Sequence, residues 1–367
     1  MKVLILSCNT GGGHNAAGKA LLEEFRAQGA QAEMEDALRF GRKHTSNLVS
    51  QCYIKVASNT PRVFGGIYRL GDFISSDKRK SPVYFANALY AQTLHDYVTA
   101  NGYDAVVYPH LFPAEAFTYI RRHFKPAYRC FAVATDYTCT PFWEETEQDA
   151  FFIPHAELLA EYRGKGIPDE RLIPTGIPVS RRFIQHMDKE TARRELKLDK
   201  DARIVLLMTG SMGFGDVFPL PERLCATDSD TQVVVLTGSN QALKNQLEQK
   251  FADSGRVRAL SFTNRVPDYM AAADVLLTKP GGLSSTEAAV FSIPLIHTDP
   301  IPGCETRNAA FFQERGMSLR ATGQEEIVQT AASLVRSPLL QQSMKKAQDE
   351  KINKEAAADI VKRIMDW

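Results

Sequence analysis

Short apolar runs recur along the chain, and most are followed by a polar or glycine-containing turn and then by apolar residues at helical spacing. A strand that is buried on both faces gives a continuous apolar run, so this pattern predicts an α/β fold with parallel sheets covered by helices on both faces. In the first half of the chain the runs lie at 2–8, 104–109, 129–135, 150–153 and 171–175. In the second half they lie at 203–208, 232–236, 257–262, 274–278 and 294–297.

A charged stretch of helical character at 189–203 separates the two series of strands. The chain has 367 residues, which exceeds one simple core and suits two domains of ordinary size. We therefore predict an N-terminal domain at 1–180 and a C-terminal domain at 181–345. The last segment, 346–367, is charged and helical and has no strand left to cover, so we expect it to return to the first domain.

The composition narrows the class of protein. Hydrophobic residues make up 44% of the chain, charged residues 24%, and the net charge is +1, which gives no general reason to expect nucleic acid as a partner. The six cysteines form no CxxC pair, which favours reduced thiols in a cytoplasmic protein over disulfides or a zinc site. The first apolar run is too short for a secretory signal, and no run approaches the ~20 residues that span a bilayer, so any membrane contact is expected to be peripheral.

One stretch, 53–80, combines positive charge with aromatic residues. It holds six bases and two acids, a local net charge of 6 − 2 = +4, and it ends in Lys78, Arg79 and Lys80. One interpretation is a helical cap with a solvated charged face. The other is a surface that meets anionic lipid head groups on the inner face of the cell membrane, with Trp143 as a further interfacial side chain.

Two of the predicted turns are rich in glycine. Gly11-Gly12-Gly13-His14 follows the first strand, and Gly281-Gly282 follows the strand at 274–278 and precedes an Ala-rich helix. Glycine lets the backbone approach a phosphate closely, and the N–H groups and dipole at a helix start favour an anion. Glu287, just inside that helix, is placed to accept hydrogen bonds from ribose hydroxyls. Either turn taken alone is better explained as an ordinary strand–helix turn.

The predicted positions of the two turns in the fold favour a functional role for both. Sites in open α/β sheets lie at the carboxyl ends of the strands, so we expect both turns to open into one cleft between the domains. The turn at Gly11–His14 lacks the third glycine of the GxGxxG fingerprint, and Asp36 is not at a convincing strand end, so a dinucleotide is not indicated.

The motifs, taken in order, resemble a known family. The segment from Ser7 to Ala17, with Thr135-Asp136 and Gly176-Ile177-Pro178-Val179, is similar to the N-terminal domain of monogalactosyldiacylglycerol synthases and processive diacylglycerol glucosyltransferases. Lys279-Pro280-Gly281-Gly282 and Pro302-Gly303-Cys304-Glu305 resemble their C-terminal domain, shared more distantly with the peptidoglycan transferase that adds N-acetylglucosamine to lipid I. The resemblance covers nearly the whole chain and keeps the order of motifs.

This resemblance implies a GT-B fold, with two Rossmann-like domains facing across a cleft. It implies transfer of a hexose, with inversion at the sugar carbon, from a UDP-sugar to a membrane lipid such as diacylglycerol. The implied donor-site positions are Ser211, Met212, Gly281, Gly282, Leu283, Ser284, Ser285 and Thr286 near phosphate, Thr263 and Val266 near uracil, Glu287 near ribose, Cys304 and Glu305 near the sugar, and also Gly13 and Asn308.

The chain departs from the family at places that bear on specificity. The family commonly has Gln where Cys304 stands, and a thiol is the poorer hydrogen-bonding group beside a sugar. The plant-like enzymes have Asp where Asn9 stands, whereas the bacterial glucosyl branch tolerates Asn, which favours UDP-glucose over UDP-galactose. No histidine lies between Asp136 and Trp143, where the family often has one.

The reaction needs a base because a lipid hydroxyl is a weak nucleophile, and histidine suits that task near pH 7. We hypothesise that His14 deprotonates or orients the acceptor hydroxyl; the alternative is that it caps the turn or binds phosphate. Asp136 is the second candidate, as partner or alternative base, and otherwise forms a turn at the strand end. His110 is a weaker candidate, and the remaining histidines, His297 among them, are expected to be structural or on the surface.

No acidic pair of the DxD type occurs in the motifs of the predicted cleft, so we expect no essential metal and no cofactor beyond the substrates. Backbone N–H groups and helix dipoles would stabilise the leaving diphosphate instead. Three other functions fit the same motifs: a UDP-N-acetylglucosamine transferase, a UDP-sugar epimerase, and a non-catalytic UDP-sugar sensor.

Overall fold

The computed structural model describes residues 1–9, 11–41, 79–210 and 217–367. Ser211, Met212, Lys78 and most of the basic stretch 53–80 therefore lie outside the described residues. Within the described ranges the strands form two six-stranded sheets in which all pairings are parallel.

The first sheet has the order β2-β1-β3-β4-β5-β6. Its strands are β1 (Lys2–Ser7), β2 (Gln31–Asp36), β3 (Ala105–Tyr108), β4 (Arg129–Val133), β5 (Ala150–Ile153) and β6 (Leu172–Pro174). The helices around it are α1 (Gly12–Ala27), α2 (Pro82–Ala88), α3 (Ala91–Ala100), α4 (Leu111–Phe124) and α5 (Leu159–Gly164). The five apolar runs predicted in the first half of the sequence are thus confirmed as β1, β3, β4, β5 and β6 of this sheet.

The second sheet has the order β12-β11-β10-β7-β8-β9. Its strands are β7 (Arg203–Met208), β8 (Thr231–Leu236), β9 (Val257–Leu260), β10 (Val275–Thr278), β11 (Leu295–His297) and β12 (Leu319–Arg320). The remaining helices are α6 (Lys189–Leu196), α7 (Leu220–Ala226), α8 (Gln241–Lys250), α9 (Val266–Ala272), α10 (Gly282–Phe291), α11 (Cys304–Glu314), α12 (Gly323–Val335), α13 (Pro338–Lys351) and α14 (Ala356–Met365).

Two strands, β2 and β12, do not correspond to an apolar run of the sequence, and both lie at the edge of their sheet. β2 is polar apart from Ala32 and Met34, and most of its residues are at least partly exposed, because an edge strand has a neighbour on one side only. β12 has two residues. The expectation for Asp36 was wrong: it is the last residue of β2, so its carboxylate stands at the carboxyl end of the sheet.

The chain divides into two compact units. The first unit comprises Met1–Ser180, Ile301–Cys304 and Glu355–Trp367, and the second comprises Arg181–Pro300 and Glu305–Lys354. Of the final segment 346–367, the part up to Lys354 therefore belongs to the second unit. Helix α14 buries Ile360, Val361 and Ile364 in the core of the first unit, against α1 and the sheet.

Candidate active site

His14 lies in the first turn of α1, directly after β1. Its ring atom Nδ1 is 2.8 Å from the carbonyl oxygen of Pro109, at the carboxyl end of β3, and 3.0 Å from the Thr135 hydroxyl, beyond the end of β4. A carbonyl oxygen can only accept, so Nδ1 carries the hydrogen and the Nε2 lone pair is left as a base. The contact with Pro109 therefore selects the tautomer that proton abstraction requires.

The surroundings of His14 keep its imidazole neutral. Burial of the ring lowers its pKa below the ordinary histidine value, and the charge of Asp136 and the bond to Pro109 oppose that shift without cancelling it. Asp136 directly follows Thr135 beyond β4, so the structure brings both predicted catalytic candidates to one end of the first sheet. A neutral ring with a free Nε2 is the form in which histidine accepts a proton.

His110, the weaker histidine candidate of the sequence, lies against His14 in the structure. Its ring meets the His14 ring edge to face, with centroids 4.6 Å apart. Its Nδ1 accepts a hydrogen bond from the Phe112 N–H at the start of α4, so Nδ1 is unprotonated. Burial and the neighbouring His14 hold the pKa of His110 well below the usual range. The missing signal was strand order: β3 lies beside β1, which places residue 110 next to residue 14.

A chain of polar side chains borders His14 on the β2 side. The Asn9 amide donates to the Asp36 carboxylate at 2.9 Å, and the Asn15 amide donates to the Asn9 oxygen at 2.9 Å. Asn9 therefore bridges the ends of β1 and β2 as a neutral hydrogen-bonding group. Gly13, predicted on the donor side, lies in the first turn of α1 beside His14.

The predicted phosphate turn in the second unit starts α10 with an open helix end. Gly281 is the N-cap with φ −68° and ψ 141°, and no side chain caps the helix. The Ser285 N–H donates to the Gly281 carbonyl at 3.0 Å, so the N–H groups of Gly282, Leu283 and Ser284 precede this bond at the helix start. A Cβ added at Gly281 would meet no atom within 4 Å. Neither backbone conformation nor packing therefore demands glycine at Gly281.

Two of the residues expected near phosphate, Ser285 and Thr286, direct their hydroxyls to other groups of the fold. The hydroxyl of Ser285 contacts Nε2 of His297 at 2.9 Å, and that of Thr286 donates to the Gly282 carbonyl at 2.7 Å. The Asn308 amide donates to the Pro280 carbonyl at 3.0 Å. Ser285, Thr286 and Asn308 are fully buried, so these three side chains are held within the protein, whereas the backbone N–H groups at the helix start precede its first bond.

The charged groups near this turn have shifted pKa values. Glu287 is half-buried, and burial raises its pKa to about 8. Burial also lowers the pKa of the Lys279 ammonium, while Glu305 and Asp299 act in the opposite direction. Cys304, the first residue of α11, is of intermediate exposure and is not in a disulfide.

The positions expected near uracil lie at the start of α9. The hydroxyl of Thr263 accepts a hydrogen bond from the Arg265 N–H at 3.1 Å, which forms the turn into the helix. Val266 is the first helical residue. The backbone groups of Thr263 and Val266 are therefore held on consecutive parts of one turn after β9.

Of the residues that were expected to face a membrane, some are exposed and others are buried or engaged within the fold. Trp143 is 5% exposed, so its predicted interfacial role conflicts with its burial. The Lys80 ammonium donates to the Glu145 carbonyl, whereas Arg79 is exposed. Exposed apolar side chains lie on and after α2 instead: Phe85 is 61% exposed and Leu89 is 88% exposed.

Among the residues that the structure describes, no group of three or more His, Cys, Asp or Glu side chains could hold a metal ion. In the same ranges, none of the helices has the length and apolar character needed to cross a bilayer.

Comparison with known proteins also divides the chain into two parts, with the division between residues 179 and 204. Residues 14–179 match the model of monogalactosyldiacylglycerol (MGDG) synthase, and residues 204–364 match that of the glycosyltransferase family 28 C-terminal domain. The processive diacylglycerol beta-glucosyltransferase of Bacillus licheniformis is 30% identical over 94% of this chain and 89% of its own length. The Bacillus subtilis protein of the same name is 28% identical over 94% of this chain and 90% of its own length.

Solved structures with the same architecture include MurG from Acinetobacter baumannii, with a TM-score of 0.65 and 14% identity over 100% of this chain and 99% of that one. A UDP complex of MnaA from Staphylococcus aureus also has a TM-score of 0.65 and 14% identity, over 99% of this chain and 96% of that one. At such identity these matches establish the GT-B fold alone. The family model matches and the Bacillus relatives establish more: the chain belongs to the family of monogalactosyldiacylglycerol synthases and processive diacylglycerol glucosyltransferases, and it is a glycosyltransferase.

Proposed function

We propose that this protein transfers a hexose from a UDP-sugar to the hydroxyl of a membrane lipid, diacylglycerol or a glycolipid built on it, with inversion at the anomeric carbon. The first unit supplies the base and the second unit holds the donor. The observation that carries the proposal is the hydrogen bond from His14 Nδ1 to the Pro109 carbonyl, which leaves Nε2 as the proton acceptor. This bond gives His14 the tautomer that a base needs. The relatives of the chain are named diacylglycerol glucosyltransferases, whose reaction would require such a base.

In the proposed reaction the acceptor hydroxyl oxygen forms a bond to the anomeric carbon as the bond from that carbon to UDP breaks. His14 Nε2 takes the hydroxyl proton, and UDP leaves with the electron pair of the broken bond. Asp136 stabilises the imidazolium that forms, because its charge raises the pKa of His14. His110 packs against the His14 ring and limits its rotation.

The leaving diphosphate is proposed to bind the open N-terminus of α10. Backbone N–H groups and the positive end of a helix dipole stabilise an anion without a metal ion. Gly281 supports this role, because the backbone there tolerates a Cβ and the space beside it is open. We propose no essential metal or cofactor for the reaction, and an unchanged rate in the presence of a chelator would support that view.

Sugar choice is proposed to depend on α11, where Cys304 and Glu305 stand at the helix start. Cys304 has weaker hydrogen-bonding capacity than an amide, and we propose UDP-glucose as the donor, with UDP-galactose as the alternative. Replacing Cys304 by Gln would change the ratio of glucose to galactose transfer if that position contacts the sugar. An unchanged ratio would move sugar choice elsewhere.

The deciding experiment offers radiolabelled UDP-glucose, UDP-galactose and UDP-N-acetylglucosamine to the protein, with diacylglycerol in mixed micelles. A radiolabelled lipid product supports the proposal and identifies the sugar. Transfer of N-acetylglucosamine alone, or release of an epimerised sugar, would identify one of the other GT-B activities. Binding of UDP-sugar without turnover would identify a sensor.

We further propose that the protein works at the cytoplasmic surface of an anionic membrane. Phe85 and Leu89 are exposed apolar side chains on and after α2, and Arg79, shortly before that helix in the chain, is exposed as well; apolar insertion next to positive charge is how peripheral proteins bind such surfaces. Co-sedimentation of Phe85→Ser/Leu89→Ser with anionic vesicles should fall below that of the wild type. Leu339→Ser is the matched control, since Leu339 is 82% exposed and lies in the second unit. Equal loss in both variants would remove the assignment of this surface.

A further inference from the structure

His297 is a fully buried histidine behind the phosphate turn. It is the last residue of β11, and it pairs in register with Thr278, the last residue of β10 and the residue that leads into the turn. The ring of Phe312 packs edge to face on it at 5.4 Å between centroids. A histidine with no exposure to water must find its hydrogen-bond partners inside the protein, so the groups that contact its ring define its role.

Both ring nitrogens of His297 are engaged. Nε2 is 2.9 Å from the hydroxyl of Ser285 on α10, and Nδ1 is 3.1 Å from the hydroxyl of Ser318, just before β12. Ser285 and Ser318 are themselves buried, so three polar side chains satisfy one another inside an apolar layer. Burial lowers the pKa of His297 to about 3, so the ring stays neutral and its hydrogen-bonding pattern does not change at ordinary pH.

The contact with Ser285 reaches the helix start itself. The Ser285 N–H closes the first turn of α10 onto the Gly281 carbonyl at 3.0 Å, while its hydroxyl is held by the ring below. The N–H groups of Gly282, Leu283 and Ser284 lie between these two fixed points. Their direction is therefore tied to the sheet through one imidazole.

We propose that His297 is a positioning residue for the diphosphate of the UDP-sugar: it holds Ser285 and so aims the backbone N–H groups at the start of α10. This inference rests on the proposed function. It adds a residue that does not touch the donor, and it explains why Ser285, in a turn that binds phosphate, directs its hydroxyl away from the ligand.

Two substitutions of His297 distinguish the contacts of its two ring nitrogens. The amide of Gln can take the place of Nε2, and that of Asn can take the place of Nδ1, so His297→Gln keeps the bond to Ser285 while His297→Asn keeps the bond to Ser318. We expect UDP, measured by calorimetry on the full chain, to bind about tenfold more weakly to His297→Asn and within about threefold of wild type to His297→Gln. Ser285→Ala should match His297→Asn, and Ser318→Ala should stay close to wild type.

A double variant, Ser285→Ala/His297→Asn, should bind UDP no more weakly than either single variant, because both remove the same contact. A purely structural role would lower the melting temperature of all the variants without this order in UDP affinity. Equal UDP affinity of folded Ser285→Ala and wild type overturns the inference alone, and it decides the matter even if His297→Asn does not fold. Failure of the wild type to bind any UDP overturns the proposed function, and this inference with it.

Discussion

The two glycine turns of this protein have the same local backbone structure but differ in the contacts of their side chains. Helices α1 and α10 each follow a buried parallel strand, begin after a glycine N-cap, and have no side chain capping the first turn. At both N-caps, Gly11 and Gly281, an added Cβ would meet no atom within 4 Å. The α1 turn presents a side chain, His14, whose tautomer is fixed from neighbouring strands. At the α10 turn, the hydroxyls of Ser285 and Thr286 point inward, and the backbone N–H groups at the helix start precede the first helical bond.

A strand–glycine–helix pattern therefore does not by itself assign a role to a turn. What surrounds the turn decides whether a side chain or the peptide N–H groups face outward. Around α1, the Pro109 carbonyl and the Thr135 hydroxyl hold a ring nitrogen. Around α10, His297 and the Gly282 carbonyl take up the serine and threonine hydroxyls.

The largest effect should come from removing the side chain that the first turn presents. His14→Ala should lower turnover by about 10²–10⁴-fold, because the acceptor hydroxyl loses its base, while UDP binding stays near wild type. Steady-state kinetics and UDP calorimetry measure the two effects. His123→Ala, an exposed histidine on α4, is the control and should keep full activity. Near-normal transfer by His14→Ala would assign the base elsewhere.

The reciprocal change tests the backbone of the second turn. Gly281→Ala should fold normally, since φ is −68° and the space is open, yet bind UDP roughly ten- to hundredfold more weakly because the Cβ occupies the approach of the diphosphate. Gly164→Ala serves as control, with equally open space at the end of α5. Wild-type affinity in Gly281→Ala would show that phosphate does not approach there.

The release of a proton when UDP binds would test whether the Glu287 carboxylate contacts the ribose. Burial raises its pKa to about 8, so the free protein holds this carboxyl protonated at pH 7. If the carboxylate accepts ribose hydroxyls, UDP binding releases the proton, and affinity rises with pH by at most about tenfold per unit up to about pH 8. Calorimetry in two buffers of different ionisation enthalpy measures the release. Glu287→Gln should bind UDP without releasing a proton. Proton release that persists in that variant would show that another group loses the proton.

The smallest effect concerns the partner of His14. The rate should rise with pH as His14 loses its proton, with a midpoint below the ordinary histidine value because burial lowers its pKa. Asp136 raises that pKa, so Asp136→Asn should move the acid limb of the kcat profile to lower pH. The plateau should change by less than about tenfold if Asp136 is not the base. Collapse of the plateau would instead identify Asp136 as the proton acceptor.

Much of this protein was determined by the sequence alone. Apolar runs locate the central strands because burial on both faces leaves no room for polar side chains, and glycine placement locates both turns. The edge strand β2 was missed because most of its residues are at least partly exposed, which removes the apolar signal. The place of Asp36 at the end of that strand was missed for the same reason.

The contacts of the side chains at those turns depend on how the folded chain is packed. The adjacency of His14 and His110 depends on β1 lying beside β3, which periodicity along the chain does not encode. The tautomer of His14 depends on a carbonyl 95 residues away, and the inward direction of Ser285 depends on His297. Burial patterns are local and can be read from the sequence, whereas hydrogen-bond partners are set by strand order and packing, which are properties of the folded chain.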